Sequence, residues 1–203
     1  ALFVHKIAGA LAESGASLED VASAARKVVA KVASIGKSLD TCTVPGSPKE
    51  NRIPSGMAEL GLGIHGEPGV EQVDFAGASE AITLVMEKLR PHLGQGPCVA
   101  LINNLGSTTP LEMSVLCYAL AETGLASHVI GPAPMMTSLD MHGFSVSVLP
   151  ADEVELAALE ALVPMAAWPG TRRLSKPKLT ALPQGMAPKA AEPSADDRTR
   201  AIL

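Results

Sequence analysis

The stretch Val99-Ala100-Leu101-Ile102-Asn103-Asn104-Leu105-Gly106-Ser107-Thr108-Thr109-Pro110 decides the fold class. Four apolar residues in succession predict a strand buried on both faces, as inside an α/β sheet. Proline suits the first turn of a helix, so Pro110 opens one over 110–122. Downstream, Ser127 to Gly131 is a second short strand, and Met135 to Asp140 is a loop or single turn. Phe144 to Leu149 alternates, with apolar residues at 144, 146 and 148, and predicts a third strand. Asp152 to Leu162 is a helix. Upstream, Ser79 to Leu93 is an amphipathic helix with Ile82, Val85, Met86 and Leu89 on one side. Ala58 to Ile64 alternates as a strand, Ser47 to Gly56 is a polar surface loop, and Thr41 to Val44 is a short β-branched run broken by Pro45-Gly46. Leu2, Phe3, Ile7 and Leu11 fall at helical spacing over residues 1–14, closed by Gly15. A second helix begins after Ser17 as N-cap; its apolar side (Val21, Ala25, Val28, Val32, Ile35) ends at Gly36. Strands alternating with helices give an α/β fold. The hairpin-like 127–149 region favours a mixed β-sheet flanked by helices.

The length of 203 residues suits one large domain, or a domain with a tail. A net charge of −5 with no basic stripe argues against a nucleic-acid partner. Five aromatics (Phe3, Phe75, Tyr118, Phe144, Trp168) are too few for a base-stacking platform. No apolar run reaches the length of a membrane span. Cys42, Cys98 and Cys117 are widely spaced and odd in number, which fits reduced thiols and a cytoplasmic location. The opening Ala1-Leu2-Phe3-Val4 lacks the pattern of a secretory signal and reads as a protein entered partway through. From about residue 170, Pro177, Pro183, Pro188 and Pro193 among Ala, Lys and Ser give a linker composition, with the expectation that more chain follows.

The segment Gly61-Leu62-Gly63-Ile64-His65-Gly66-Glu67-Pro68-Gly69 is the most informative for chemistry, and His65 is its best candidate. Its glycines leave little bulk around one imidazole and let a ligand approach the main chain. Histidine is the side chain suited to proton or nucleophile chemistry near neutral pH, and Glu67 stands where it can orient His65 or fix its tautomer. The same residues also fit a tight turn with a structural histidine. The 103–110 stretch offers helix-start N–H groups and hydroxyls to an anion or a sugar hydroxyl, or simply caps its helix. It carries neither GxxxxGK[ST] nor GxGxxG. Ser138, Asp140 and His142 lie close in sequence, but a triad is a spatial arrangement, and capping or pocket-lining roles suit them better. No His-x-x-His or Cys-x-x-Cys pair occurs, so no metal site is expected.

Five blocks carry a resemblance. They are Val4-His5-Lys6-Ile7-Ala8-Gly9-Ala10, Cys42-Thr43-Val44-Pro45-Gly46, the Gly61–Gly69 segment, Asn103-Asn104-Leu105-Gly106, and Thr137-Ser138-Leu139-Asp140-Met141 continuing to Gly143-Phe144-Ser145. In this order and spacing they resemble the second half of the substrate-binding K domain of dihydroxyacetone (glycerone) kinases, over residues 1–168. The resemblance implies that residues 169–203 are a Pro/Ala-rich linker toward a nucleotide-binding L domain. It implies that His65 holds dihydroxyacetone as a covalent hemiaminal, with Gly63, Gly66, Glu67, Asn104 and Ser138 around the substrate. Glycerol, which lacks the carbonyl, is refused. ATP with Mg is then bound by the L domain and not by this chain, and the protein is a homodimer. His65, Asn104 and Ser138 are expected near one another at one edge of the sheet.

The chain also departs from the family pattern. Nothing in it matches the family's Gly-Gly-Gly-Ser-Gly-His-Glu-Pro segment, with its Asp base and Lys, or the L domain's Gly-Asp-Gly-Asp segment. Where the family tends to have Lys-Pro-x-Phe, the chain reads Ser47-Pro48-Lys49-Glu50-Asn51-Arg52-Ile53. The linker favours the ATP-dependent type. Alternatives are a non-catalytic dihydroxyacetone-binding coregulator and the K subunit of a phosphoenolpyruvate-dependent kinase. Some fused relatives also phosphorylate glyceraldehyde and cyclise FAD to cyclic FMN.

Overall fold

A computed structural model describes residues 1–65 and 67–176. Gly66, and the part of the expected linker beyond residue 176, lie outside the described residues. The first helices are α1 (Leu2–Glu13) and α2 (Leu18–Lys31), followed by strands β1 (Ala33–Ser38), β2 (Met57–Leu60) and β3 (Glu71–Asp74). Helix α3 (Ala78–Leu89) runs into a 3-10 turn, Arg90–His92, where Pro91 has no N–H to continue the ladder. Then come β4 (Cys98–Asn104), α4 (Pro110–Thr123), β5 (His128–Ala133), β6 (Gly143–Pro150), α5 (Glu153–Glu160) and β7 (Thr171–Arg173).

The strands form one sheet in the order β3-β2-β1-β6-β4-β5-β7. β4 and β5 run parallel and the other neighbours are antiparallel, so the sheet is mixed as expected. Its reason differs from the expected one. β5 and β6 do not pair as a hairpin, because β4 lies between them and pairs with both.

Successive strand residues face opposite sides, and β4 sorts the two cores. Ala100 and Ile102 join Phe144, Val146 and Val148 beneath α3 and α4. Val99 and Leu101 join Phe3, Ile7, Val28 and Leu159 beneath α1, α2 and α5. Full burial of an aliphatic side chain of this size contributes about 1.5–3 kcal/mol. Local chemistry fixes several helix ends. The Ser17 hydroxyl accepts the Asp20 N–H, Thr109 and Glu112 form a capping box, as do Asp152 and Glu155, and Gly124 ends α4 with φ 63°.

Two expectations are corrected. The second helix stops at Lys31, and Ile35 and Gly36 belong to β1. Helical spacing over 21–35 continues into residues that β6 pairs with from Ala33 onward, while β2 joins at Lys37 and Ser38. The strand expected over 58–64 ends at Leu60, because Gly61 turns the chain with φ 75°. The β-branched run Thr41 to Val44 lies in irregular structure, where the Thr43 N–H bonds the Leu139 carbonyl at 2.8 Å. β3 and β7 are short, polar edge strands with no apolar alternation to announce them. A third small core (Cys42, Ile53, Leu62, Leu105, Met141) ties four loops together beside the C-terminal end of β4.

Candidate functional site

The loop 61–70 joins β2 to β3. It is closed at its base by Val70 N–H on the Leu60 carbonyl (2.9 Å) and higher up by Gly63 N–H on the Glu67 carbonyl (3.2 Å). Leu62 is buried in the third core and Ile64 packs against it. His65 is left at the tip, its side chain 79% exposed beside a Glu67 that is 59% exposed. Glu67 Oε2 accepts the His65 backbone N–H at 3.1 Å, and Oε1 lies 3.2 Å from Nδ1. Glu67's own backbone N–H holds its carboxyl below the usual range. Desolvation opposes this, and the His65 N–H and ring add to it. An ionised carboxylate only accepts, so in the neutral ring this contact favours the proton on Nδ1 and the lone pair on Nε2. Nε2 has no hydrogen-bond partner among the described residues. A Cβ on Gly63 would overlap the Glu67 carboxylate, so that glycine makes room for the acid that orients the imidazole.

At the neighbouring β4–α4 junction Asn104 and Thr108 are buried. Asn104 Nδ2 donates to the Thr108 carbonyl (2.6 Å), and its Oδ1 accepts the Gly106 N–H (2.8 Å). Thr108 Oγ1 donates to the Gly143 carbonyl (2.7 Å) and accepts the Gly143 N–H (2.9 Å). Ser138 is brought directly onto this junction. Its N–H bonds the Leu105 carbonyl at 2.7 Å, and its own carbonyl occupies the space a Cβ on Gly106 would need. Asn104 and Ser138 are therefore together, and the Leu62–Leu105–Met141 packing joins the His65 loop to them. No hydrogen bond among the described residues links His65 to either.

Gly63 and Ile64 also roof an open concavity of about 350 Å³ lined by Ser34, Asn103, Met136 and Ser145. Asn104 does not line it; Asn103 does, since alternation puts the two on opposite faces. Asn103 Oδ1 accepts the Met135 and Met136 N–H groups, both at 2.9 Å, and Nδ2 donates to the Met136 carbonyl at 2.8 Å. The resemblance places Asn104, not Asn103, around the substrate, although both stand in the same block. The signal was the Val99–Leu101–Asn103 face of the strand. Among the described residues no three His, Cys, Asp or Glu side chains converge on a metal position. No helix of the described residues is long and apolar enough to cross a membrane.

This α/β sheet carries a histidine-bearing glycine loop at one end, and comparison gives its family. The Dak1 domain model matches residues 1–167, and the chain belongs to that family. The dihydroxyacetone kinase of Citrobacter freundii is 36% identical over 176 residues, covering 83% of this chain and 31% of the relative. Human triokinase/FMN cyclase is 34% identical over 188 residues, covering 86% and 32%. The crystal structure of the C. freundii kinase with AMP-PNP and Mg2+ superposes with a TM-score of 0.82 at 33% identity, over 97% of this chain and 38% of that one. The dihydroxyacetone kinase operon co-activator Dha-DhaQ superposes at 0.73 with 27% identity, over 83% and 55%. The chain spans about a third of the length of these two kinase relatives. The resemblance read from the five sequence blocks holds.

Proposed function

We propose that this chain holds dihydroxyacetone on His65 as a covalent hemiaminal, for phosphorylation to dihydroxyacetone phosphate. The observation that carries this reading is the Glu67-oriented imidazole, with Nε2 unpartnered, on a Dak1 domain. In the reaction, Nε2 adds to the ketone carbon and the C=O π pair moves to oxygen. The ring becomes cationic, and Glu67 stabilises that charge at Nδ1. Loss of the Nδ1 proton and gain of one by the new oxyanion give a neutral hemiaminal, so atoms and charge balance. Glycerol offers no carbonyl to attack.

Gly63 leaves room for Glu67, and Ser138 offers its hydroxyl to a substrate hydroxyl. Asn104 acts through the loop that its two hydrogen bonds fix. Gly66 remains an expectation outside the described residues. The phosphoryl donor is ATP with Mg on an L domain beyond the 169–203 linker, and the protein works as a cytoplasmic homodimer. The likeness to Dha-DhaQ supports a second reading, in which the same site senses dihydroxyacetone without transferring phosphate.

Carbon-13 NMR with C2-labelled dihydroxyacetone tests the anchor. At saturation the labelled carbon should move from the ketone region to that of a tetrahedral carbon, and His65→Ala should abolish the shift. A carbon that stays a ketone in the wild type, or turns tetrahedral in the variant, overturns the assignment. ATP-dependent formation of dihydroxyacetone phosphate separates the kinase from the sensor.

A further inference from the structure

The contact between His65 and Glu67 does not explain its own geometry. Both side chains are more than half exposed, and exposed pairs of this kind contribute little by themselves. Whatever keeps Glu67 against Nδ1 must come from the backbone of the loop, and the loop is held from outside by two residues that the chemistry does not use. Glu59 lies on β2 and is buried. Its Oε1 accepts the Gly69 N–H at 2.6 Å, on the descending limb of the loop. Its Oε2 accepts Arg52 Nε at 3.2 Å. The two oxygens of this one buried carboxylate are thus shared between Arg52 and the loop, and a buried charge is tolerated only when it is paired and hydrogen-bonded.

The same guanidinium comes within 3.5 Å of the Glu67 carbonyl, and the Arg52 carbonyl accepts Gln72 Nε2 of β3 at 3.2 Å. Arg52 also pairs with Glu50 on its own loop. The limb fits closely. A Cβ on Gly69 would come within 2.5 Å of the Leu60 carbonyl oxygen and 2.7 Å of Glu59 Cγ.

We propose that Arg52, through its ion pair with Glu59, is a positioning residue for the substrate-holding loop: it keeps Glu67 against Nδ1 of His65, so that Nε2 stays the free nitrogen. This rests on the reading of His65 as the nucleophile. The role belongs to the 46–56 loop, which approaches the site from outside the glycine-rich segment. A lysine at position 52 retains the charge opposite Glu59 but lacks the fork that serves Glu59 and the Glu67 carbonyl together.

The test uses two readouts on the wild type, Arg52→Ala, Arg52→Lys and His65→Ala. Nitrogen-15 shifts of the His65 ring, at a pH where it is neutral, report the tautomer without any substrate. Titration with C2-labelled dihydroxyacetone reports adduct affinity. The wild type should hold the Nδ1–H tautomer. Arg52→Ala should turn it into a mixture and weaken the adduct about tenfold or more. Arg52→Lys should fall between the two. Wild-type tautomer and affinity in Arg52→Ala overturn the proposal, even if its melting temperature falls, because Arg52 is then structural only. Should Arg52→Ala fail to fold, Arg52→Lys carries the comparison, and wild-type values in both readouts overturn it equally. If the wild type forms no adduct while Arg52→Ala still changes the tautomer, the positioning role stands and the covalent reading of His65 fails.

Discussion

The β4–α4 junction and the 61–70 loop touch the same small core, yet they are built in opposite ways. At the junction, Asn104 and Thr108 are buried and their polar atoms are paired within it or to Gly143. Glu112 adds the capping box with Thr109 and a 3.0 Å contact to His142 Nε2. Across Leu62 and Leu105 the other loop presents His65 and Glu67 to solvent and keeps its anchors, Glu59 and Gly69, at the base. A buried polar group left unpaired costs about 1–3 kcal/mol, so Asn104 and Thr108 cannot be left free for a ligand without losing stability. An exposed loop does not carry that penalty. A reactive side chain belongs there, provided that something rigid holds the backbone beneath it.

Substitutions should separate frame from tip. The largest effect is expected at Gly143, where an added Cβ would meet the Lys37 carbonyl oxygen at 2.5 Å and the Ser38 Cα at 2.7 Å. Both are main-chain atoms that cannot swing away. Gly143→Ala should therefore cost about 4 kcal/mol in urea unfolding, a large part of a typical domain's stability. A loss below about 1 kcal/mol would show that the junction yields, and the contrast would disappear.

Gly63→Ala should invert the pattern. The atom in its way is the end of the flexible Glu67 side chain, so stability should change by less than about 1 kcal/mol. Displacing that carboxylate from His65 should nevertheless weaken dihydroxyacetone binding several-fold, measured by the same carbon-13 titration. Unchanged affinity would mean that Glu67 does not orient the imidazole.

The smallest effect is in pH. Glu67 and Glu112 both titrate below the usual glutamate range. For Glu112, burial pushes upward and is outweighed by hydrogen bonds from the Thr109 N–H and hydroxyl and by His142. A carboxyl depressed on folding contributes stability above its unfolded value, about 4.3, and loses it as pH falls through the folded value. Carboxyl carbon-13 titration should place both midpoints below about 4.3. Protonating Glu112 should lower global stability, whereas protonating the exposed Glu67 should loosen only its loop. A Glu67 midpoint at or above the unfolded value would remove the carboxylate as the reason for the Nδ1–H tautomer.

Much of this was legible in the sequence because the information was local. The apolar run Val99–Ile102 forms an interior strand of the sheet, Ser17 caps its helix, and Pro110 begins one. The glycine spacing around His65 marked the loop before any partner was known. Other features were illegible because their partners lie far along the chain. Ile35 and Gly36 continue a helical pattern yet become strand when β6, more than a hundred residues later, pairs with them. The choice between Asn103 and Asn104 depends on which face α3 and α4 cover. Arg52, in a loop read only as polar and irregular, gains its role from Glu59 and Glu67.

The sequence by itself determined the class of fold, the central strand–helix unit, several helix ends and the imidazole at the loop tip. Each depends on residues within a few positions of one another, where backbone preference and periodicity act directly. The tertiary structure decided the strand order, the edge strands, the use of Gly63 as room for Glu67, and the Arg52–Glu59 support beneath His65. Those outcomes depend on hydrogen bonds and close contacts that form only when the chain folds its loops together.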